Sequence, residues 1–147
     1  MSIRSYEAVL KAAADPTRAR ILRMLADGGL CVCQVVAVVG LSASTVSRHL
    51  SVLEAAGLVR QRKAGKWSHF TLAGKEAAPV AASILKGVKG WLDGDPSVEK
   101  DRERAARARA LGAPAVCDAG MRLPGEEGRR SPPPPAGTAL PGERRRR

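Results

Sequence analysis

The sequence is poor in aromatic residues and has no long hydrophobic run. Of its 147 residues one is Phe, one is Tyr and two are Trp, so any core must be built from aliphatic side chains. No apolar run approaches the roughly 18 residues of a membrane-spanning helix. The N-terminus, MSIRSYEAVL, lacks the apolar stretch and the small-residue cleavage site of a signal peptide. We therefore expect a cytoplasmic protein with no membrane partner.

Acidic residues are scarce relative to basic ones. The chain has 25 Lys and Arg against 14 Asp and Glu, which gives a formal net charge of +11. Through Asp93 the count is 13 against 6, and from Gly94 onward it is 12 against 8. The basic character is therefore not confined to the C-terminal segment, and it favours a polyanionic partner, most simply nucleic acid.

Signatures of catalysis are missing as well. The sequence shows no paired carboxylates, no catalytic triad and no phosphate-binding loop. The segment CDAGMR at Cys117 is C-x4-R, one residue short of the C-x5-R loop of thiol phosphatases and arsenate reductases. We do not expect an enzyme. With only three cysteines in a reducing compartment, metal ligands or redox groups are favoured over a disulfide framework.

A helix-turn-helix pattern spans residues 30–59. A valine-rich helix reaches a turn at Gly40, Ser42 is placed to cap the next helix, and Gly57 is placed to end it. In a helix-turn-helix the second helix enters the DNA major groove. The polar residues available for DNA contact are Ser42, Ser44, Thr45, Ser47, Arg48 and His49. Among them Arg48 is the best base-reading candidate, because its guanidinium can pair with guanine O6 and N7.

After Gly57 the alternation of residues predicts two strands joined by a turn at Ala64-Gly65-Lys66. This hairpin is the predicted wing. Its tip carries three cations placed to contact phosphates, Arg62, Lys63 and Lys66. The alternative is that these cations only keep the edge of the hairpin soluble.

Further helices are predicted on both sides of this region. One covers residues 5–14, a second runs from Pro16 to Ala26 with Arg18, Arg20 and Arg23 outward, and a last one covers residues 74–92. The fold is therefore expected to be mainly α with a small β-hairpin, in one domain at residues 1–93. Residues 94–147 are expected to be a charged, Pro/Arg-rich tail, largely disordered, with a helix that could extend through Leu111.

The run LSASTVSRHLSVLEAAGLVRQRKAGKWSHFTL resembles the winged helix-turn-helix of the ArsR/SmtB family of metal-responsive repressors. The segment LCVCQV is similar to the family's ELCVCDL metal box, although Gly29 stands where Glu is usual and Gln34 where Asp is usual. The match covers roughly residues 5–93. The resemblance implies a homodimer through the first and last helices that binds double-stranded operator DNA and leaves it when a ligand binds.

Cys31 and Cys33 are the candidate ligands for that inducer. On a regular helix their spacing would put them about 200° apart, so one ion can hold both only at a frayed or distorted helix start. The helix N-terminus is expected to lower the thiol pKa values. Cys117 is the candidate third thiol, from the same subunit or its partner, the alternative being an idle cysteine. His49 and His69 suggest no shared metal site.

Thiolates select soft ions, and the resemblance implies either arsenic(III) or antimony(III) bound by three sulfurs, or four-coordinate cadmium, lead or zinc. Some arsenic-sensing members add a cysteine at the position of Val36. Cadmium- and lead-sensing members add cysteines before the first helix, and zinc-sensing members use His and carboxylates on the last helix; both are absent here. Arsenite or antimonite therefore ranks first. The alternatives are a sensor of Cd, Pb or Zn, a thiol redox switch on the same fold, and a nucleoid-type protein without a ligand.

Overall fold

The computed structural model describes residues 1–126, which begin with two helices, α1 (Ile3–Ala14) and α2 (Pro16–Ala26). The carboxylate of Asp15 accepts the N–H of Arg18 at 2.9 Å, and Pro16 occupies the first turn of α2. Proline suits that position because the first turn leaves its N–H groups unpaired in any case. The Asp-Pro start of the second helix is therefore confirmed.

The helix-turn-helix consists of α3 (Val32–Val39) and α4 (Ala43–Ala55). Gly40 ends α3 at a φ of 73°, in the left-handed conformation that glycine adopts without strain. The Ser42 hydroxyl accepts the N–H of Thr45 at 3.2 Å and so caps α4. The predicted helix, turn and helix are confirmed. The α4 side chains at the predicted core spacing, Val46, Leu50 and Leu53, are fully buried.

The wing is a hairpin of β2 (Val59–Ala64) and β3 (Trp67–Leu72), with Ala64 opposite Trp67. A strand that was not predicted, β1 (Leu30–Cys31), pairs antiparallel with the other edge of β3. The sheet order is therefore β1-β3-β2. This sheet joins the cysteine segment directly to the wing.

The next helix, α5 (Pro79–Trp91), is shorter than the predicted span of residues 74–92. Proline has no N–H and its ring clashes with the carbonyl four residues earlier, so a helix cannot run through it undisturbed. Ala78 just before it is extended, with φ −59° and ψ 153°. The helix therefore begins at Pro79.

Two further helices, α6 (Pro96–Leu111) and α7 (Ala113–Asp118), pack against the rest of the fold. They contact α2 and α3, and bury Val98, Ala105, Ala108 and Val116. The helix that could extend through Leu111 is present as α6, whereas the prediction of disorder after it is wrong for α7. The boundary expected after Asp93 does not separate these two helices from the core. Residues 127–147, with the Pro run and terminal arginines, lie outside the described residues.

The expectation that Arg18, Arg20 and Arg23 all point to solvent is wrong for Arg20, which is half-buried and donates to the buried Asp101, and most clearly wrong for Arg23. Its side chain is buried, and its guanidinium donates to Asp93 at 2.8 Å and to Asp27 at 3.1 Å. Asp93 lies 70 residues further along the chain, so no local pattern identifies it as a partner.

Within residues 1–126, no single helix is long and apolar enough to cross a membrane; α3 and α4 pass that test only jointly, across a bend of 113°.

Candidate metal and DNA-binding sites

Cys31 and Cys33 lie on either side of the start of α3. Cys31 ends β1 and is the residue before the helix, with an extended backbone at φ −80° and ψ 160°. Because Cys31 is outside the helix, the regular helical separation of about 200° does not apply to the pair. Gln34 anchors this start: its Oε1 accepts the Cys31 N–H at 2.8 Å, and its Nε2 donates to the Ala108 carbonyl at 2.8 Å.

Cys117 is brought to this pair by α7 of the same subunit. The Cys33 thiol donates to the carbonyl of Ala113, at the start of α7, with a distance of 3.6 Å. Cys31 and Cys33 are both close enough to Cys117 for it to affect their pKa values. The packing of α7 on α3 therefore brings Cys117 into the neighbourhood of the pair, with Cys31 and Cys33 buried and Cys117 half-buried.

The donor chemistry of this cluster fits a soft ion, since it consists of three thiols. The arrangement is nevertheless open. Among residues 1–126, no group of three or more His, Cys, Asp or Glu side chains is already placed to hold a metal ion. The thiols therefore have to draw together before they can share one ion.

The expectation of acidic thiols is wrong. Burial raises the pKa of Cys31, and burial together with the neighbouring Cys117 and Cys31 raises the pKa of Cys33 to about 12. Removing a thiolate from water costs more free energy than its interaction with the N-terminal dipole of α3 contributes, and neighbouring thiolates would repel one another. Cys31 and Cys33 are therefore protonated thiols at neutral pH.

His69 also lies beside Cys31, a position that no pattern in the sequence predicts. It is opposite Cys31 in the β1–β3 pairing, and its Nδ1 is 3.8 Å from the Cys31 sulfur. The ring lies beside Gly29, where an added Cβ would collide with it. A two-residue strand such as β1 carries too few residues for an alternation pattern, so the sequence gives no sign of this pairing.

Most of the predicted DNA-contacting residues of α4 are exposed. They are Ser42, Ser44, Thr45, Ser47 and Arg48. His49 differs from them, since it is half-buried with its Nδ1 3.3 Å from the Arg18 guanidinium, and burial lowers its pKa.

The predicted cations of the wing, Arg62, Lys63 and Lys66, are all exposed around the hairpin turn. The Lys66 ammonium lies 5.0 Å from the centre of the Trp67 ring, within the range of a cation–π contact. Gly65 at φ 60° takes the first position of this two-residue turn, as a tight hairpin requires. The wing therefore presents positive charge beyond the sheet.

A helix-turn-helix followed by a β-hairpin makes this a winged helix-turn-helix DNA-binding protein. Residues 15–61 match the bacterial regulatory proteins of the arsR family. The chain is similar to the arsenic resistance transcriptional regulator ArsR1 of Pseudomonas putida, at 38% identity over 92 residues that cover 59% of this chain and 71% of that one. It belongs to the arsR family, which is a family of transcriptional regulators rather than of enzymes.

Two other similarities extend this comparison. The putative arsenical resistance operon repressor ArsR2 of Halobacterium salinarum is 48% identical over 84 residues, which cover 56% of this chain and 69% of that one. The NMR structure of the cadmium metal-sensor CMTR from Mycobacterium tuberculosis is 36% identical, with a TM-score of 0.45, and the match covers 58% of this chain and 85% of that one.

Proposed function

We propose that this protein is a cytoplasmic repressor that leaves its operator when arsenic(III) or antimony(III) binds Cys31, Cys33 and Cys117. The observation that carries the proposal is the packing of α7, the helix of Cys117, against the start of α3, where Cys33 donates to the Ala113 carbonyl. Three sulfur donors suit a trivalent metalloid, which binds in a pyramid. The two relatives named for arsenic resistance support the same class of inducer.

The protonated state of the thiols favours a metalloid over a divalent cation. Arsenous acid, which is neutral at pH 7, reacts with three thiols to form three As–S bonds, and each hydroxyl leaves as water with one thiol proton. No proton is released. A divalent cation must instead displace a proton from each thiol that it binds, and the raised pKa values of Cys31 and Cys33 make that displacement costly.

We expect the affinities for arsenite and cadmium to differ in their dependence on pH. Between pH 6 and 8 the arsenite affinity should stay constant, whereas the cadmium affinity should rise about tenfold per pH unit for each proton displaced. The cadmium affinity rises with pH because the thiols remain protonated throughout this range, so that each thiol must lose its proton when it binds the ion. Competition titrations at three pH values would measure both slopes, and equal slopes would contradict the protonation assignment.

Ligand binding at this cluster acts on the helix that precedes the DNA-reading helix. Drawing Cys33 towards Cys117 moves the start of α3, and α3 packs against α4 and joins it through the short turn at Gly40. A ligand shifts such an equilibrium only by its difference in affinity for the two arrangements. In this proposal the arrangement with closed thiols is the one that fits operator DNA less well.

The test is the fluorescence anisotropy of a labelled operator from the upstream region, titrated separately with arsenite, cadmium and zinc. We expect arsenite to release the wild-type protein, and Cys117→Ser to need about tenfold more arsenite, in line with the loss of part of a metal site. Asp118→Ser, at an exposed position of the same helix, is the matched control. Release by cadmium or zinc alone would overturn the arsenic assignment, and release by an oxidant alone would favour the redox switch.

For DNA recognition we expect Arg48 and Lys66 to act differently. Arg48→Ala should cost about 1–3 kcal/mol for the operator and relax its specificity, because a base contact is lost. Lys66→Ala should weaken binding to all sequences alike and lower the slope of log affinity against log salt by about 1. Anisotropy with operator and with random DNA over a range of salt concentrations separates the two. An equal loss on both DNAs for Arg48→Ala would remove its base-reading role.

The proposed repressor is a homodimer through α1 and α5. These helices contact each other and expose apolar side chains at Ile3, Tyr6 and Trp91, of which Trp91 is 71% exposed. Neighbouring exposed apolar groups are typical of protein interfaces. A two-fold dimer would set two α4 helices about 34–36 Å apart, one turn of DNA. Sedimentation equilibrium should give a dimer that Trp91→Glu weakens, and a monomeric wild type would contradict the proposal.

A further inference from the structure

His69 connects the wing to the cysteine cluster. It lies on β3, the wing strand that continues through the hairpin turn into β2, and its partner across the sheet is Cys31. The Nδ1 atom is 3.8 Å from the Cys31 sulfur. A sulfur and an imidazole nitrogen, both of which are atoms that bind metal ions, therefore already face each other across the β1–β3 pair.

This separation is close to that of two ligands on one tetrahedral ion. With Zn–S near 2.3 Å and Zn–N near 2.0–2.1 Å, a thiolate sulfur and an imidazole nitrogen that share a tetrahedral zinc lie about 3.6 Å apart. A larger divalent ion widens this distance slightly. Cys31 and His69 therefore need almost no change in sheet geometry to bind the same ion.

Gly29 provides the space that the imidazole occupies. A Cβ at residue 29 would collide with three atoms of the His69 ring. Gly29 is not among the glycines of residues 1–126 with a positive φ, so its backbone conformation does not itself require glycine. The absence of a side chain at this position is what admits the ring beside Cys31.

From these contacts we propose that His69 is a fourth ligand of the cysteine site, which can then hold a tetrahedral thiophilic divalent cation of the zinc and cadmium type. The inference rests on the proposed function, since it uses the same three thiols, and it extends the ligand class beyond three-coordinate metalloids. Three cysteines and one histidine form a complete tetrahedral set for zinc. In this arrangement Cys33 and Cys117 close onto the Cys31–His69 pair.

The fourth ligand also separates the two classes of inducer structurally. A trivalent metalloid bound by three sulfurs leaves His69 uncoordinated and acts on α3 and α7. A divalent ion bound by all four groups additionally ties β3, and with it the wing, to the start of α3. The two ligand classes therefore act on the DNA-binding surface through different elements.

The test uses the full-length protein and 113-Cd as the probe. In the wild type, NMR should show coupling between the bound cadmium and the His69 imidazole, a readout that needs no variant. His69→Ala should bind cadmium about 10–100-fold more weakly while its arsenite affinity stays within about twofold of the wild type. Gly29→Ala, which displaces the ring but keeps all four donors, should reproduce the cadmium loss, and Thr71→Ala, at an exposed position of the same strand, should not.

The results for the His69 and cysteine variants distinguish a failure of the fourth ligand from a failure of the three-thiol site. Absence of cadmium coupling to His69, together with unchanged cadmium affinity in His69→Ala, would overturn the fourth ligand and leave the three-thiol site intact. An arsenite affinity that neither Cys33→Ser nor Cys117→Ser lowers would instead overturn the proposed function. Loss of cadmium and arsenite affinity to the same extent in His69→Ala would assign His69 a structural role and would also overturn the ligand assignment.

Discussion

Cys33→Ser is expected to raise the arsenite concentration for half-release of the operator by at least about 100-fold. Even the loss of a residue that only orients a metal ligand lowers metal affinity by up to about 100-fold, and Cys33 is a proposed ligand. Cys33 is the thiol whose pKa is affected by both other cysteines, and only 3% of its surface is exposed. Serine is a hard oxygen donor of similar size and cannot replace sulfur toward a soft ion.

The fold of this variant should be retained, because the serine hydroxyl can donate to the Ala113 carbonyl that the thiol now faces. Anisotropy gives the release, and equilibrium dialysis with arsenite gives binding directly, so that a loss of binding is distinguished from a loss of coupling to DNA. Operator affinity without arsenite should match the wild type. If wild-type arsenite concentrations still released the variant, the inducer would have to bind elsewhere.

Asp101→Ala is expected to lower the free energy of unfolding by about 2–4 kcal/mol, through the loss of one partner of a mostly buried ion pair. Asp101 on α6 is 4% exposed, and its carboxylate accepts two hydrogen bonds from Arg20 on α2, at 2.6 and 2.8 Å. The alanine variant leaves the Arg20 guanidinium without this partner. The Arg20 side chain is about a third exposed, so water offsets part of the cost.

Urea unfolding followed by circular dichroism measures this loss. Glu103→Ala, at an exposed position of the same helix, is the matched control and should stay within about 0.5 kcal/mol of the wild type. Weaker docking of α6 should also displace α7 and Cys117, so the arsenite response should weaken in Asp101→Ala alone. A stability equal to that of Glu103→Ala would mean that the ion pair contributes nothing to the docking of α6.

The predictions that held depend on contacts between near neighbours in the chain. Asp15 with Pro16, and Ser42 with Thr45, are capping arrangements within one helical turn, and Gly40 and Gly57 mark helix ends through their own backbone conformations. Such signals are complete within a few residues. For this reason the helix-turn-helix could be placed from the sequence to within a residue or two.

Apart from the start of α5 at Pro79, the predictions that failed concern partners that are distant in the chain. Charge and composition predict a largely disordered tail after Asp93 with one possible helix through Leu111, and no local pattern shows that this helix, α6, packs on the core. Its arginines in fact bind acceptors of the core: Arg104 donates to the Ala37 carbonyl at 2.7 Å, and Arg109 donates to the carbonyls of Met24 and Gly28. The amino-acid composition gives the number of these arginines, but it does not show that carbonyl groups near the ends of α2 and α3 accept hydrogen bonds from them.

Local periodicity, capping and turn chemistry are enough to predict the winged helix-turn-helix, the basic wing and the pair of cysteines before α4. The surroundings of those cysteines depend instead on contacts between distant segments. The packing of α7 on α3 places Cys117 near them, burial keeps Cys31 and Cys33 protonated, and the pairing of β1 with β3 brings His69 to Cys31. Burial and strand pairing arise from contacts between segments 38 to 80 residues apart, and local sequence patterns carry no information over that range.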